Sequence, residues 1–176
     1  MKLNSDELRR TKNGDLNNSM VEKNEIYVIL DNVLDTYNVG AVFRLADATA
    51  VKKIFLCGYT ETPPNSRIKK SSINTVDLTE WEHFDNTVDA IKELRSMNQE
   101  LRVIAVELDE RSVNYAKADY SYPVAIIIGN ETHGVSEDVL KLCDQIVELP
   151  MLGVNVSINT MVSLAIILYK TLEKNS

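Results

Sequence analysis

The stretch Val124-Ala125-Ile126-Ile127-Ile128 contains no polar position and is bounded by Pro123 and Gly129. Successive side chains of a β-strand point to opposite faces, so a strand that does not alternate must be covered on both. Parallel sheets flanked by helices meet that condition, and five residues are far too few to cross a bilayer. Ile26-Tyr27-Val28-Ile29-Leu30 has the same character, and residues 53–57, 102–108 and 145–149 read as further strands. Helical stretches separate them: 39–49, rich in small residues; 85–97, with Val88, Ile91 and Leu94 on one face and Asp85 or Thr87 as cap; 136–143; and the mostly apolar 157–172. The pattern predicts an α/β fold, a mostly parallel sheet with helices on both faces. Pro63-Pro64 and Ser71-Ser72 mark the segment after the second strand as a long loop.

Residues 1–24 are polar and form a short extension, with a helix expected over 6–12 and a loop at Asn13-Gly14, so residues 25–176 make one domain. Cys57 and Cys143 are too few for a disulfide framework and suit a reducing cytoplasm; His83 and His133, fifty residues apart, do not make a metal site. The first residues mix Asp6 and Glu7 with Arg9 and Arg10 and hold no apolar core, so no signal peptide and no membrane partner are expected. With 19 Lys and Arg against 26 Asp and Glu, the net charge of −7 argues against nucleic acid as a total. Its distribution argues otherwise. The first 88 residues hold 11 basic and 13 acidic residues, the rest 8 and 13, and residues 65–75 carry Arg67, Lys69 and Lys70 with no acid. A solvated loop is the plain reading of that run.

Three segments at strand–helix junctions carry more specific signals. In Asn38-Val39-Gly40-Ala41-Val42-Phe43-Arg44, the first residues sit where a loop becomes a helix and backbone N–H groups are free. Taken alone it is a cap followed by a small-residue packing face, with Arg44 at the surface. Gly129-Asn130-Glu131-Thr132-His133-Gly134 follows the most apolar strand directly, at the carboxyl end where open α/β sheets take ligands. It is not a dinucleotide fingerprint. In Leu149-Pro150-Met151-Leu152-Gly153-Val154-Asn155-Val156-Ser157-Ile158-Asn159, a strand end leads through a Pro/Gly loop to a helix start that Ser157 would cap.

In this order the three segments resemble the SpoU/TrmH family of the SPOUT class of RNA methyltransferases, over residues 25–169. Asn38, Gly40 and Arg44 match NxGxxxR; Gly129, Asn130, Glu131 and Gly134 match G-N/S-E-x-x-G; Leu149, Pro150, Met151, Ser157 and Asn159 match the third motif, with Ile158 where Leu is usual. The resemblance implies a deep C-terminal trefoil knot, a homodimer, and S-adenosylmethionine held near Val106, Glu107, Gly129, Asn130, Ile146, Leu149, Met151, Leu152 and Ser157. It implies methyl transfer to a ribose 2′-hydroxyl of RNA, with tRNA favoured over rRNA and a D-loop guanosine as target. Arg44 would clamp a phosphate or stabilise the developing alkoxide, oriented by Asn38, Glu131, Ser157 and Asn159. Arg67, Lys69 and Lys70, and more weakly Arg9, Arg10 and Lys12, would meet RNA. No separate RNA-binding domain is expected, and the basic extensions usual in the tRNA branch are not seen in residues 1–23. Trp81-Glu82-His83-Phe84 could stack on bases but reads better as packing between a strand and a helix. Base methylation, a silent RNA-binding relative and a flavodoxin- or Rossmann-like nucleotide binder are the competing expectations.

Overall fold

The structure is a computed structural model describing residues 3–10 and 21–175, with only the backbone described for Ser5 and Arg9; Lys12 and Asn13-Gly14 lie outside it. Seven strands, β1 (Asn24–Asp31), β2 (Val51–Cys57), β3 (Glu80–Phe84), β4 (Arg102–Val106), β5 (Val113–Asn114), β6 (Val124–Gly129) and β7 (Gln145–Glu148), form one parallel sheet. Their order is β3-β2-β1-β6-β4-β7-β5. The helices are α1 (Ser5–Arg10), α2 (Thr36–Ala48), α3 (Ser66–Ser72), α4 (Thr87–Met97), α5 (Glu137–Leu140) and α6 (Thr160–Lys174).

The apolar strands do what their lack of alternation predicts. Ile26, Val28 and Leu30 of β1 and Val124, Ile126 and Ile128 of β6 enter one core with α2, α3 and α6. Tyr27, Ile29, Ala125 and Ile127 enter the opposite core with Ala90, Ile91 and Leu94 of α4 and Val139 and Leu140 of α5. Every residue of β6 is buried. Burying one such Ile or Leu contributes about 2 kcal/mol, so neither face tolerates a polar residue cheaply. Cys57 is buried, Cys143 is half-buried, and burial pushes both thiols up to about 12, which keeps them protonated.

Several elements depart from the sequence reading. Part of the expected loop at 65–75 is α3: the Asn65 side chain accepts from Arg67 N–H and Ile68 N–H, and Ile68 is fully buried against α2. Seven residues with one apolar anchor leave no periodicity to detect. Trp81-Glu82-His83-Phe84 belongs to edge strand β3, with Trp81 packed on one core and Phe84 on the other. The two residues of β5 had no signal at all. The cap of α4 is Asn86, which accepts from Asp89 N–H, rather than Asp85 or Thr87; Thr87 instead turns inward to Asp31. The strand expected over 102–108 stops at Val106, and the helix expected over 136–143 is only the four residues of α5. No helix among the described residues is long and apolar enough to cross a membrane.

Candidate functional site

The chain order reverses between β1 and β6. A cleft of about 330 Å³ opens at the ends of β4, β6 and β7, in the range of small-ligand sites. Its walls are Val106, Glu107, Gly129, Asn130, Glu131, Leu149, Met151 and Ser157 from the expected set, joined by Leu108, Thr132, Gly134, Val156, Thr160 and Ser163. Thr132 and Gly134 lie inside the second motif, whereas Thr160 and Ser163 reach the cleft only because α6 begins there. Two expected residues are elsewhere. The Ile146 side chain packs into the core shared with α4 and α5, and Leu152 stands 96% exposed beyond the cleft.

The loop 129–134 is tightly determined. Asn130 and Gly134 exchange two backbone hydrogen bonds, of 3.0 and 2.9 Å, and the Asn130 side chain accepts from Thr132 N–H and His133 N–H. Asn130 Nδ2 donates to the carbonyl of Asn32 after β1. A Cβ at Gly129 would collide with the returning Gly134–Val135 backbone, and Gly134 adopts φ +68°, a conformation that suits glycine. Glycine at 129 is therefore a requirement of the loop closing on itself.

Glu131, Asn38 and Asn159, one from each motif, form a hydrogen-bonded chain. Glu131 Oε2 accepts from Leu34 N–H at 3.0 Å, and Oε1 accepts from Asp35 N–H at 3.1 Å and from Asn38 Nδ2 at 3.0 Å. Asn159 Nδ2 donates to Asn38 Oδ1 at 3.1 Å, while Asn159 Oδ1 accepts from Met161 N–H and Val162 N–H. Burial opposes ionisation of Glu131, but the donors from Leu34, Asn38 and Asp35 outweigh it and hold its carboxyl below the usual range.

These contacts correct four expectations. Asn159, not Ser157, caps α6, which starts at Thr160; Ser157 lies exposed in the preceding loop, its N–H donating to Asn155 Oδ1 at 3.3 Å. α2 starts at Thr36 with Asp35 as cap, so Asn38 is in its first turn and Gly40 is inside the helix. Gly40 serves packing: a Cβ there would meet Ser71 and come within 2.5 Å of the Ile68 carbonyl oxygen of α3. Lastly, Arg44 is exposed and makes no hydrogen bond with Asn38, Glu131, Ser157 or Asn159. Six residues beyond Asn38, it lies about 9 Å further along the helix and about a third of a turn round it.

Arg67, Lys69 and Lys70 are likewise exposed, on the helix packed against α2. Among the described residues, eight cations elsewhere form ion pairs: Lys52, Lys53, Lys92, Arg95, Arg102, Arg111, Lys141 and Lys170. Arg44 and the three cations of α3 form none. Exposed Arg10 ends α1, which is tied to the end of α3 by a hydrogen bond from Asn74 Nδ2 to the Leu8 carbonyl.

Residues 25–169 match the family model described as the SpoU rRNA Methylase family. The chain is 32% identical over 152 residues to the tRNA (guanosine(18)-2'-O)-methyltransferase of Aquifex aeolicus, covering 83% of this chain and 68% of that protein. It is 29% identical over 149 residues to the protein of the same name from Escherichia coli, covering 83% of this chain and 62% of that one. The AdoMet-bound rRNA methyltransferase of Sinorhizobium meliloti superposes with a TM-score of 0.79 at 29% identity, covering 94% of this chain and 59% of that one. This chain thus spans about three fifths to two thirds of the length of those proteins. With residues of its three motifs joined by hydrogen bonds and the family model matching more than four fifths of its length, the chain belongs to the SpoU methylase family.

Proposed function

We propose that the cleft binds S-adenosylmethionine and that the protein transfers its methyl group to a ribose 2′-hydroxyl of RNA, with tRNA favoured over rRNA. The carrying observation is the Glu131–Asn38–Asn159 chain, which joins residues of all three motifs by hydrogen bonds and begins at Glu131 on the cleft wall. The cleft fits the cofactor: it has the right size, and its lining mixes apolar Val106, Leu149 and Met151 with polar Glu107, Asn130, Thr132 and Ser157. The Sinorhizobium meliloti relative, by its description AdoMet-bound, supports the same cofactor. The Aquifex aeolicus and Escherichia coli names favour tRNA, and a guanosine within it, over rRNA.

S-adenosylmethionine supplies a methyl carbon on a sulfonium, a leaving group that needs no further activation. What remains for the protein is alignment of the hydroxyl and stabilisation of its developing charge. Residues 129–132, Gly134, Leu149 and Met151, with Thr160 and Ser163, line the holding surface. Asn38, anchored between Glu131 and Asn159, fixes α2 against residues of the second and third motifs and thereby sets the register of the helix that carries Arg44. The Arg44 guanidinium, free of partners among the described residues, grips a phosphate or the alkoxide of the acceptor ribose. Arg67, Lys69 and Lys70, with Arg9 and Arg10, take the flanking phosphates.

Tyr37 on α2 and Val162, Ile166 and Tyr169 on α6 are 48%, 43%, 38% and 57% exposed. Leu164 and Leu168 face the core, so α6 serves both sides, and the outward stripe supports a homodimer. The trefoil threading of residues 149–174 belongs to the same proposal and is supported by the return of α6 from the end of β7 to the core it shares with β6 and α2.

Labelled methyl transfer to total tRNA and to rRNA, with the modified nucleotide mapped, tests the reading. Ribose-methylated tRNA is expected; label in rRNA alone reverses the substrate, and label on a base rejects the chemistry. Arg44→Lys is expected to lose most turnover while still binding S-adenosylmethionine. Near wild-type turnover would remove Arg44 from its role.

A further inference from the structure

Strand β6 delivers the loop 129–134, and a buried or cleft-wall carboxylate stands at the carboxyl end of each of its two neighbours. Asp31 closes β1 and is only 2% exposed; Glu107 follows β4. Glu107 Oε2 accepts from Val135 N–H at 2.7 Å, and its Oε1 accepts from Leu108 N–H at 2.9 Å. Asp31 Oδ2 accepts from Ser136 N–H at 2.9 Å; its Oδ1 accepts from Thr87 Oγ1 at 2.6 Å and from Asn32 Nδ2 at 2.9 Å. Two successive amides at the exit of the loop are thus gripped from opposite sides of β6. Neither carboxylate forms an ion pair with a described residue. Gly134 lies directly over Glu107, where a Cβ would strike the carboxylate.

A charged residue that ends an apolar strand and meets only neutral donors needs a reason, because burying it without a counter-ion is costly. Backbone N–H groups are the compensation, and the same bonds locate the loop. We propose that Asp31 and Glu107 are paired positioning residues that clamp the exit of the 129–134 loop and so preorganise the cofactor-facing backbone of the cleft. Neither acts on the reacting atoms. Glu107 lines the cleft, yet its two carboxylate oxygens are turned to Val135 and Leu108. The inference rests on the reading of the cleft as the S-adenosylmethionine site for its effect on affinity, but not for the clamp itself.

The test has two arms on the full chain. Amide hydrogen exchange in the cofactor-free protein reports the clamp directly. Glu107→Ala should speed exchange at Val135, and Asp31→Ala at Ser136, while β6 amides stay as protected as in the wild type. Equal exchange in variant and wild type overturns the clamp. Calorimetric titration with S-adenosylmethionine reports its use: each alanine variant should bind about tenfold more weakly, as expected for a lost charge-assisted hydrogen bond. Glu107→Gln, which keeps one acceptor oxygen, should fall between, and serves if the alanine variant does not fold. In turnover the loss should fall on KM for the cofactor more than on kcat. A fall in kcat alone, or affinity within twofold of wild type for every variant, overturns the positioning role. If the wild type itself binds no S-adenosylmethionine, the reading of the cleft fails while the exchange arm still decides the clamp.

Discussion

The cleft wall and the outer face of α2 and α3 are neighbours built on opposite principles. On the cleft wall the side chains of Glu107, Asn130 and Glu131 already have protein partners, as do Asp31, Asn38 and Asn159 outside its lining. What such a wall offers a ligand is shape and loop backbone rather than loose charge. On α2 and α3, Arg44, Arg67, Lys69 and Lys70 have no ion pair among the described residues, although acids outnumber bases across the chain. A surface that leaves its cations unpaired while most others are neutralised is set up for polyanions. One region is finished before its ligand arrives, and the other is completed by it.

Substitutions should separate the two regions by what they damage. Gly129→Ala is expected to do most harm to folding, about 3 kcal/mol, because the added Cβ meets backbone that cannot yield. Thermal unfolding reads the loss, and a variant as stable as wild type would show that the loop is looser than its hydrogen bonds imply. Gly40→Ala follows at about 2 kcal/mol, since α2 must move off α3. It should weaken RNA binding with it, as the cations of the two helices lose their register. Asn38→Ala, which unlinks Glu131 from Asn159, should cost about 1 kcal/mol by denaturant titration.

Acid should erode the same junction. The Glu131 carboxyl titrates below its ordinary 4.5 when folded, so its stabilisation is complete above that pH and is lost as pH falls through the lower folded value. Stability curves of wild type and Glu131→Gln should therefore run parallel near neutrality and converge in acid; a constant gap would contradict the hydrogen-bonded carboxylate. Replacing Arg67, Lys69 and Lys70 together by alanine should change stability least, within about 0.5 kcal/mol. It should nonetheless weaken RNA binding and lower the salt slope by about 2 to 3. An unchanged slope would place the RNA elsewhere and dissolve the contrast.

Much of this was legible along the chain. Residues 26–30 and 124–128 announced strands covered on both faces, and the absence of a polar position in either left no other arrangement. The motif residues stood at strand–helix junctions, and most expected cofactor contacts line one cleft. Local choices between neighbours were less legible. Ser157 and Asn159 both suit a helix cap, and which one caps α6 depends on where the loop from β7 releases the chain. Asp85 and Thr87 were the expected caps of α4, but Asn86 takes the position and Thr87 is held by Asp31, 56 residues away.

By itself, then, the sequence determined the layers, the strands that fill them, and the basic run on residues 67–70, because burial and charge are properties of individual residues and their spacing. Only the tertiary structure decided how the motifs meet. Asn38 finds Glu131 across 93 residues and Asn159 across 121, and Glu107 reaches Val135 across 28. Such bonds depend on β6 being inserted between β1 and β4, and strand order is settled by the packing of the whole sheet, which no local pattern records.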